Sequence, residues 1–408
     1  MMRFPKAFWL LWCGQALNRV GSLAPAFLVL YLEQEHLVGS RTTPLLVGLF
    51  GVGVLASSLV GGALADAIGP RRTIIGAQPV AVVTALLYLV TTNTAALCAL
   101  ALVTGFLSAV DRPASAGLIY EIVPRADFER AYSLYLVGFN VGMSLSPVLS
   151  GFLLAYSPPL LFFVWAVGSS LYALLLAGLP KDERATGRQE TRAPVLREAA
   201  RSMAEPFRSP VLAGFLGLTF LMACIYLQVN STLPLGMRGA GMSPGEVGIV
   251  LAVNAVASVV LLPLAPRVAR RMREEVPLAL SALAIAVGFG LNAFAHSVPG
   301  FIVATLVWTL GEVLWAPTSA GFVANRAPEG KVSTYQGSMF FAWNTAAVAG
   351  GPLGLVVAGA FGYSTLWLSV LVLGLAVTCG FKALVKVPGF RPAAAVTAPV
   401  SPDRVHVP

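Results

Sequence analysis

The sequence predicts an all-α polytopic membrane protein, twelve transmembrane helices in two pseudo-repeated six-helix bundles. Three observations lead there. Hydrophobic residues make up 57% of the 408 positions and charged residues only 11%, with a mean hydropathy of +0.79. A water-soluble fold of this size needs far more charge to cover its surface. The apolar residues fall in runs of the roughly 20 residues that a spanning helix requires. And one pattern occurs twice: Pro113-Ala114-Ser115-Ala116-Gly117, ahead of Pro124, returns as Pro317-Thr318-Ser319-Ala320-Gly321, ahead of Pro328, a shift of 204 positions.

Taken in order, the spans are predicted at 7–32, 44–66, 73–92, 95–120, 131–156, 159–179, 210–235, 245–266, 276–296, 299–323, 333–360 and 364–385. Residues 1–180 form the first six-helix bundle and 209–387 the second. Between them, 181–208 is a charged linker carrying Lys181, Asp182, Glu183, Arg184, Arg188 and Glu190 among others, part of it an amphipathic helix at the membrane surface. The tail, 388–408, is rich in Pro, Ala and Val without periodicity and is expected to be disordered. Tyr132 and Ser146-Pro147 in the fifth span are echoed by Tyr335 and Gly351-Pro352 in the eleventh, which extends the repeat.

The net charge of +9 does not indicate a nucleic-acid partner, because the basic residues sit in short loops on one side. Of the Lys and Arg, Arg41 and Arg238 fall on the opposite side and Arg19 and Arg112 within spans. By the positive-inside rule that asymmetry puts both termini in the cytoplasm. Cys13, Cys98, Cys224 and Cys379 each lie alone in a different apolar run, which excludes a metal motif or a disulfide framework and reads as small buried hydrophobes. The first apolar run, from Ala7 to Leu32, is too long for a cleaved signal. No Walker A sequence and no Ser/His/Asp constellation occurs, so neither ATP hydrolysis nor an enzyme activity is expected. No cofactor is expected either.

Between the second and third spans lies Gly61-Gly62-Ala63-Leu64-Ala65-Asp66-Ala67-Ile68-Gly69-Pro70-Arg71-Arg72. Small residues let the helix end turn tightly, and Asp66, Arg71 and Arg72 are placed to pair in the interfacial layer. The stretch resembles the loop motif between helices two and three of the major facilitator superfamily, matching at Gly62, Leu64, Asp66, Gly69, Arg71 and Arg72 and departing at Ala67 and Pro70. In the fifth span Gly138, Gly142, Ser146-Pro147 and Gly151 recur about every four residues, a groove of small residues on one face. That pattern resembles the fifth-helix motif of the family's antiporters, with Ser146 and Ser150 where glycines are usual. The resemblance covers nearly the whole chain. It implies alternating access, with the substrate site between the halves near the membrane centre.

Ionisable residues inside a span are costly and mark a cavity or a partner. Four lie deep: Arg19 in the first span, Asp111 and Arg112 in the fourth, Glu312 in the tenth. In the family those helices line the central cavity. Asp111 and Glu312 are the candidate proton carriers. Arg112 adjoins Asp111 in sequence, but helix neighbours i and i+1 diverge, so Arg19 is the better partner. A fixed ion pair bracing the helices is the alternative for Asp111 and Arg112, and a neutral acid bonded to a neighbouring helix for Glu312. Gln15, Asn18, Asn140, Gln228, Asn230, Asn254, Trp308, Trp315, Trp343 and Asn344 are candidate cavity-lining residues, with helix packing the favoured alternative for any single one of them. At the cytoplasmic end Glu121, Arg125, Asp127, Glu129 and Arg130 are expected to form salt bridges that close an inner gate. Glu33, Glu35 and His36 read as solvated loop charges.

Asn18-Arg19-Val20-Gly21-Ser22, Asp111-Arg112-Pro113 and Leu310-Gly311-Glu312 resemble bacterial drug-efflux members of the superfamily. The resemblance implies a monomeric exporter of amphiphilic small molecules in a bacterial inner membrane, with the proton as coupling ion and the lipid bilayer as its surroundings. One departure stands against it: Ala101 to Gly105 lack the arginine usual in the middle of the fourth helix of drug–proton antiporters. The alternatives are a transporter, by symport, of one metabolite such as a sugar, amino acid, siderophore or lysolipid, and a non-transporting membrane sensor.

Overall fold

The computed structural model describes residues 4–21, 31–32, 43–178 and 201–390. The chain there is a succession of helices in the predicted order. The first bundle consists of Lys6–Gly21, Thr43–Ile68, Pro70–Tyr88, the pair Thr94–Ala109 and Asp111–Ile122, Phe128–Tyr156 and Leu160–Ala177. The second consists of Pro210–Tyr226 continued by Thr232–Gly239, Pro244–Leu261 continued to Ala269, Glu275–Leu291, Val298–Ala324, Val332–Phe361 and Tyr363–Leu384. We refer to them as the first to twelfth spans. Among the described residues, eight are long and apolar enough to cross a membrane on length and composition alone. The greater part of the linker and the tail from Arg391, and with them Glu33, Glu35 and His36, lie outside the described residues.

Helix boundaries follow local chemistry. Asn93 caps the fourth span, its side-chain oxygen accepting from the amides of Ala95 and Ala96 at 2.9 and 3.2 Å. Ser243 and Glu246 close a reciprocal capping box at the start of the eighth, satisfying amides that a helix start leaves open. Gly69, at φ 98°, makes the reversal between the second and third spans, where a side chain would clash, and Pro70 then takes the first helical position, which needs no amide hydrogen.

The fourth span runs on through Val110, whose dihedrals stay helical and whose amide still bonds the Phe106 carbonyl, and the eighth passes through a 3-10 turn over Leu262–Leu264. The seventh loosens into a 3-10 turn over Leu227–Asn230. The Gln228 amide mends that break: it donates to the carbonyls of Cys224 and Gly350 at 2.9 and 2.8 Å and accepts from the Thr232 hydroxyl. Gln228 was expected in the cavity wall. The structure buries it instead, and the reason is the backbone groups that the broken helix leaves to satisfy.

The second bundle is centred on stacked aromatics, with Phe215 lying against Trp315 and Phe322 and Trp308 fully buried. Trp315, a candidate for the cavity wall with packing as its alternative, packs in this aromatic stack. The first bundle has one apolar cluster around Phe8, Ile74, Ile119 and Tyr132 and another around Tyr88, Phe162 and Trp165 at the opposite end. Phe152, Tyr156 and Phe361 are each at least 70% exposed. On a helix of this hydropathy such residues meet acyl chains, not water.

Candidate functional site

Two charged centres occupy the interior, one in each bundle, and they are built differently. In the first bundle Arg19 Nη2 donates to Asp111 Oδ1 at 2.6 Å and Nη1 to the Ser108 carbonyl at 3.0 Å. Both side chains are about 95% buried. The fourth span places Asp111 opposite the end of the first helix. Arg112 lies over the Phe139 ring, 4.7 Å from its centroid, and Arg19 meets the same ring at 4.9 Å. Phe139 of the fifth span thus lies against both guanidinium groups, a contact worth more when water is excluded.

Next to the ion pair Asn18 donates to Gln78 at 3.2 Å and to Ser169 at 3.3 Å. Together these groups line a polar cavity of about 30 Å³. Gln15 is fully buried, and neither amide atom has a partner among the described residues. Gly142 lets the fifth span approach the first, since a Cβ there would sit 2.5 Å from that of Arg19, and Gly138 does the same against Trp12. Pro147 and Gly151 lie further along the same helix.

The second centre is Glu312. Its Oε2 accepts from Asn254 at 2.7 Å and from Ser258 at 3.3 Å, both on the eighth span, with Tyr226 of the seventh span close by. Every one of these donors is neutral. No Lys or Arg pairs with Glu312 among the described residues. Tyr226 in turn meets Trp308 edge-on at 5.8 Å and Trp343 at 5.4 Å. The acid therefore sits beside an aromatic wall whose members Tyr226 and Trp343 are only half buried. Asn230 is exposed at the break in the seventh span.

The halves meet at the end that carries Arg71, Arg72, Arg125, Arg130 and Arg270, here called the basic end. Asp66 accepts the backbone amides of Ser333 and Thr334 at 2.9 and 2.6 Å, on the first turn of the eleventh span, where a helix leaves its amides free and favours negative charge. Gly62, one turn earlier, has no room for a side chain, because a Cβ would lie 2.3 Å from the Ser333 carbonyl oxygen. Nearer mid-depth, Asn344 donates to Ser58 at 2.9 Å, and the Ser133 hydroxyl bonds the Leu262 carbonyl between the fifth and eighth spans.

This arrangement corrects two expectations. Asp66 was expected to pair with Arg71 and Arg72, yet Arg71 donates to the carbonyls of Leu176 and Ala177, both at 2.9 Å. It caps the sixth span, while Arg72 points elsewhere. The salt bridges expected from the 121–130 segment are likewise not what Arg125 and Arg130 form: they lie over Tyr120 and Phe4. Ion pairs at this end among the described residues join Arg326 to Glu274 at 2.7 Å and Lys331 to Glu205 of the linker at 2.6 Å.

A family model described as Major Facilitator Superfamily matches residues 11–351, with a second match over 237–402. The chain belongs to the Major Facilitator Superfamily. It is a membrane transporter of that type. It is 26% identical over 380 residues to an uncharacterized MFS-type transporter, YttB, of Bacillus subtilis, covering 90% of this chain and 92% of that one. In fold it is similar to the E. coli fucose:proton symporter FucP, with a TM-score of 0.70 at 16% identity over 92% of this chain and 98% of the other. It is equally similar to a bacterial homologue of the iron transporter ferroportin in an outward-facing state, TM-score 0.71 at 15% identity, covering 93% and 99%. Major facilitator chains of one shape thus bear names with different cargoes, so the cargo has to be argued from side chains.

Proposed function

We propose that this major facilitator protein is a proton-coupled exporter of amphiphilic small molecules, with Glu312 as the group that takes up and releases the proton. The single observation that carries the reading is the neutral shell around Glu312. A carboxylate whose hydrogen bonds among the described residues come from Asn254 and Ser258 can be neutralised without stranding a buried cation. Asp111 differs, because protonating it would remove its charge from the buried Arg19 beside Arg112, which is expensive in a low-dielectric interior. Asp111 and Arg19 therefore act as a brace, and Glu312 as the titrating site.

Cargo class follows from the same neighbourhood. An anionic group next to the open faces of Tyr226 and Trp343 suits a ligand with an apolar body and a positive charge, through Coulomb and cation–π attraction. Proton and cation then compete for one carboxylate, which is the simplest form of exchange. With the basic end in the cytoplasm, as the positive-inside rule directs, the Asp66 contact closes the inner side and the arrangement is the outward-facing one. Both termini are then cytoplasmic, in a bacterial inner membrane, and the working unit is the monomer.

The test is proton movement in proteoliposomes loaded with a pH-sensitive dye. Lipophilic cations added across an imposed pH gradient should move protons in the wild type and not in Glu312→Gln. Proton movement with a single sugar or amino acid instead would replace export by symport of that metabolite.

A further inference from the structure

Arg71 and Arg72 are adjacent and differ completely in what they touch. Arg71 is consumed by the two carbonyls at the end of the sixth span. Arg72 is exposed and has neither ion pair nor hydrogen bond among the described residues. It stands at the basic-end mouth of a cleft between the second, third and fourth spans, with a volume of about 700 Å³. That is the size of a ligand pocket. Apart from Arg72, the wall is apolar or spent: Val52, Val80, Leu102 and Phe106 line it, and the Thr73 hydroxyl is committed to the Gly69 carbonyl. No carboxylate lines it. The cargo site proposed above is in the other bundle, so the two are separate.

Two measures fix the occupant. Along the second span the lining runs from Ile68 to Val52, about 24 Å at helical rise, whereas one leaflet of hydrocarbon is about 15 Å deep. The cleft is thus long enough for an extended acyl chain entering from the basic end. Among the described lining residues its one charge is the positive Arg72 at the basic end, which the orientation proposed above puts on the side where anionic lipid attracts basic residues. An apolar channel with a single cation at its mouth complements an anion with a long apolar tail, and it repels a cationic amphiphile.

We propose that this cleft is a site for one anionic phospholipid, its acyl chain between the second, third and fourth spans and its phosphate against Arg72. Gly76 lies exposed in the lining, and a Cβ there would meet nothing within 4 Å, so a side chain placed at this position starts in open space at the cleft.

The experiment uses the full chain in nanodiscs of phosphatidylcholine and phosphatidylglycerol, with trace lipid carrying a diazirine on its acyl chain, and maps adducts by peptide mass spectrometry. Adducts of the phosphatidylglycerol probe should concentrate on the segments holding Gly76–Val80 and Leu102–Val110. They should exceed those of a phosphatidylcholine probe by roughly fivefold, the share of one arginine near an anionic surface. Arg72→Gln should bring the two probes level, and Gly76→Phe should remove both. Unlabelled phosphatidylglycerol should compete in the wild type better than phosphatidylcholine, a readout that needs no variant to fold. Equal labelling by both probes in the wild type, or a preference that survives Arg72→Gln, would reduce the cleft to ordinary annular contact. Displacement of the probe by inorganic phosphate would make a free anion the occupant and overturn the proposal.

Discussion

The carboxylate of Asp66 accepts the backbone amide of Thr334 at 2.6 Å, across the boundary between the two halves. A second oxygen takes the amide of Ser333, so one side chain of the second span terminates the eleventh. Hydrogen bonds to a charged group contribute about 1.5–3 kcal/mol each. Asp66→Asn keeps an acceptor but loses the charge, and about 1.4 kcal/mol is a factor of ten in population. The ratio of molecules closed to molecules open at the basic end should therefore fall roughly tenfold. Spin labels at Ala126→Cys and Glu329→Cys, in a background free of the native cysteines, would report it as a longer distance population. An unchanged distance distribution would make the contact incidental.

Steric fit at the same contact gives a second test. At Gly62 the obstacle to a side chain is the Ser333 carbonyl, which cannot turn away, whereas at Gly117 it is the Ser333 hydroxyl, 2.1 Å from a Cβ placed there. A hydroxyl can rotate to another rotamer. Gly62→Val should thus hold the basic end open and stop transport, while Gly117→Ala should retain most activity and recover the rest with Ser333→Ala. Equal loss in both variants would mean that close packing between the halves is not what limits closure.

The buried pair in the first bundle is a matter of stability. Removing one partner of such a pair costs about 3–5 kcal/mol, whereas replacing both by apolar residues of similar size is often neutral. Asp111→Asn should lower the thermal midpoint of the purified protein markedly, since it removes the acid paired with buried Arg19 at 2.6 Å. Arg19→Met with Asp111→Leu should return most of the loss. Were the double variant no more stable than the single one, Arg19 and Asp111 would not be acting as a unit.

Much of this was legible in the chain itself. Hydropathy alone isolated Arg19, Asp111, Arg112 and Glu312, because a charge inside an apolar run stands out whatever the rotation of the helix. The pairing of Asp111 with Arg19 over its sequence neighbour followed from helix geometry. Rotation is where the reading stopped. A span that is apolar on all sides has no polar face to orient it, so Gln228 and Trp315 looked as suited to the cavity as Asn254, yet both pack into the bundle. Tyr226, Ser258 and Phe139, which complete the two centres, carry no such signal: each is an ordinary residue in an apolar run. The partners of Asp66 were unreadable for another reason. They are backbone amides 267 and 268 positions away, and no side-chain pattern announces a backbone donor.

The most direct measurement separates movement of cargo from its coupling to the proton. Wild type and Glu312→Gln would be compared in proteoliposomes, first for exchange of a labelled lipophilic cation without a pH gradient, then for accumulation against its gradient when a pH gradient is imposed. The expected result is exchange in both and uphill accumulation in the wild type alone. Uphill accumulation by Glu312→Gln at the wild-type level would show that the proton is carried elsewhere and would contradict the assignment of Glu312.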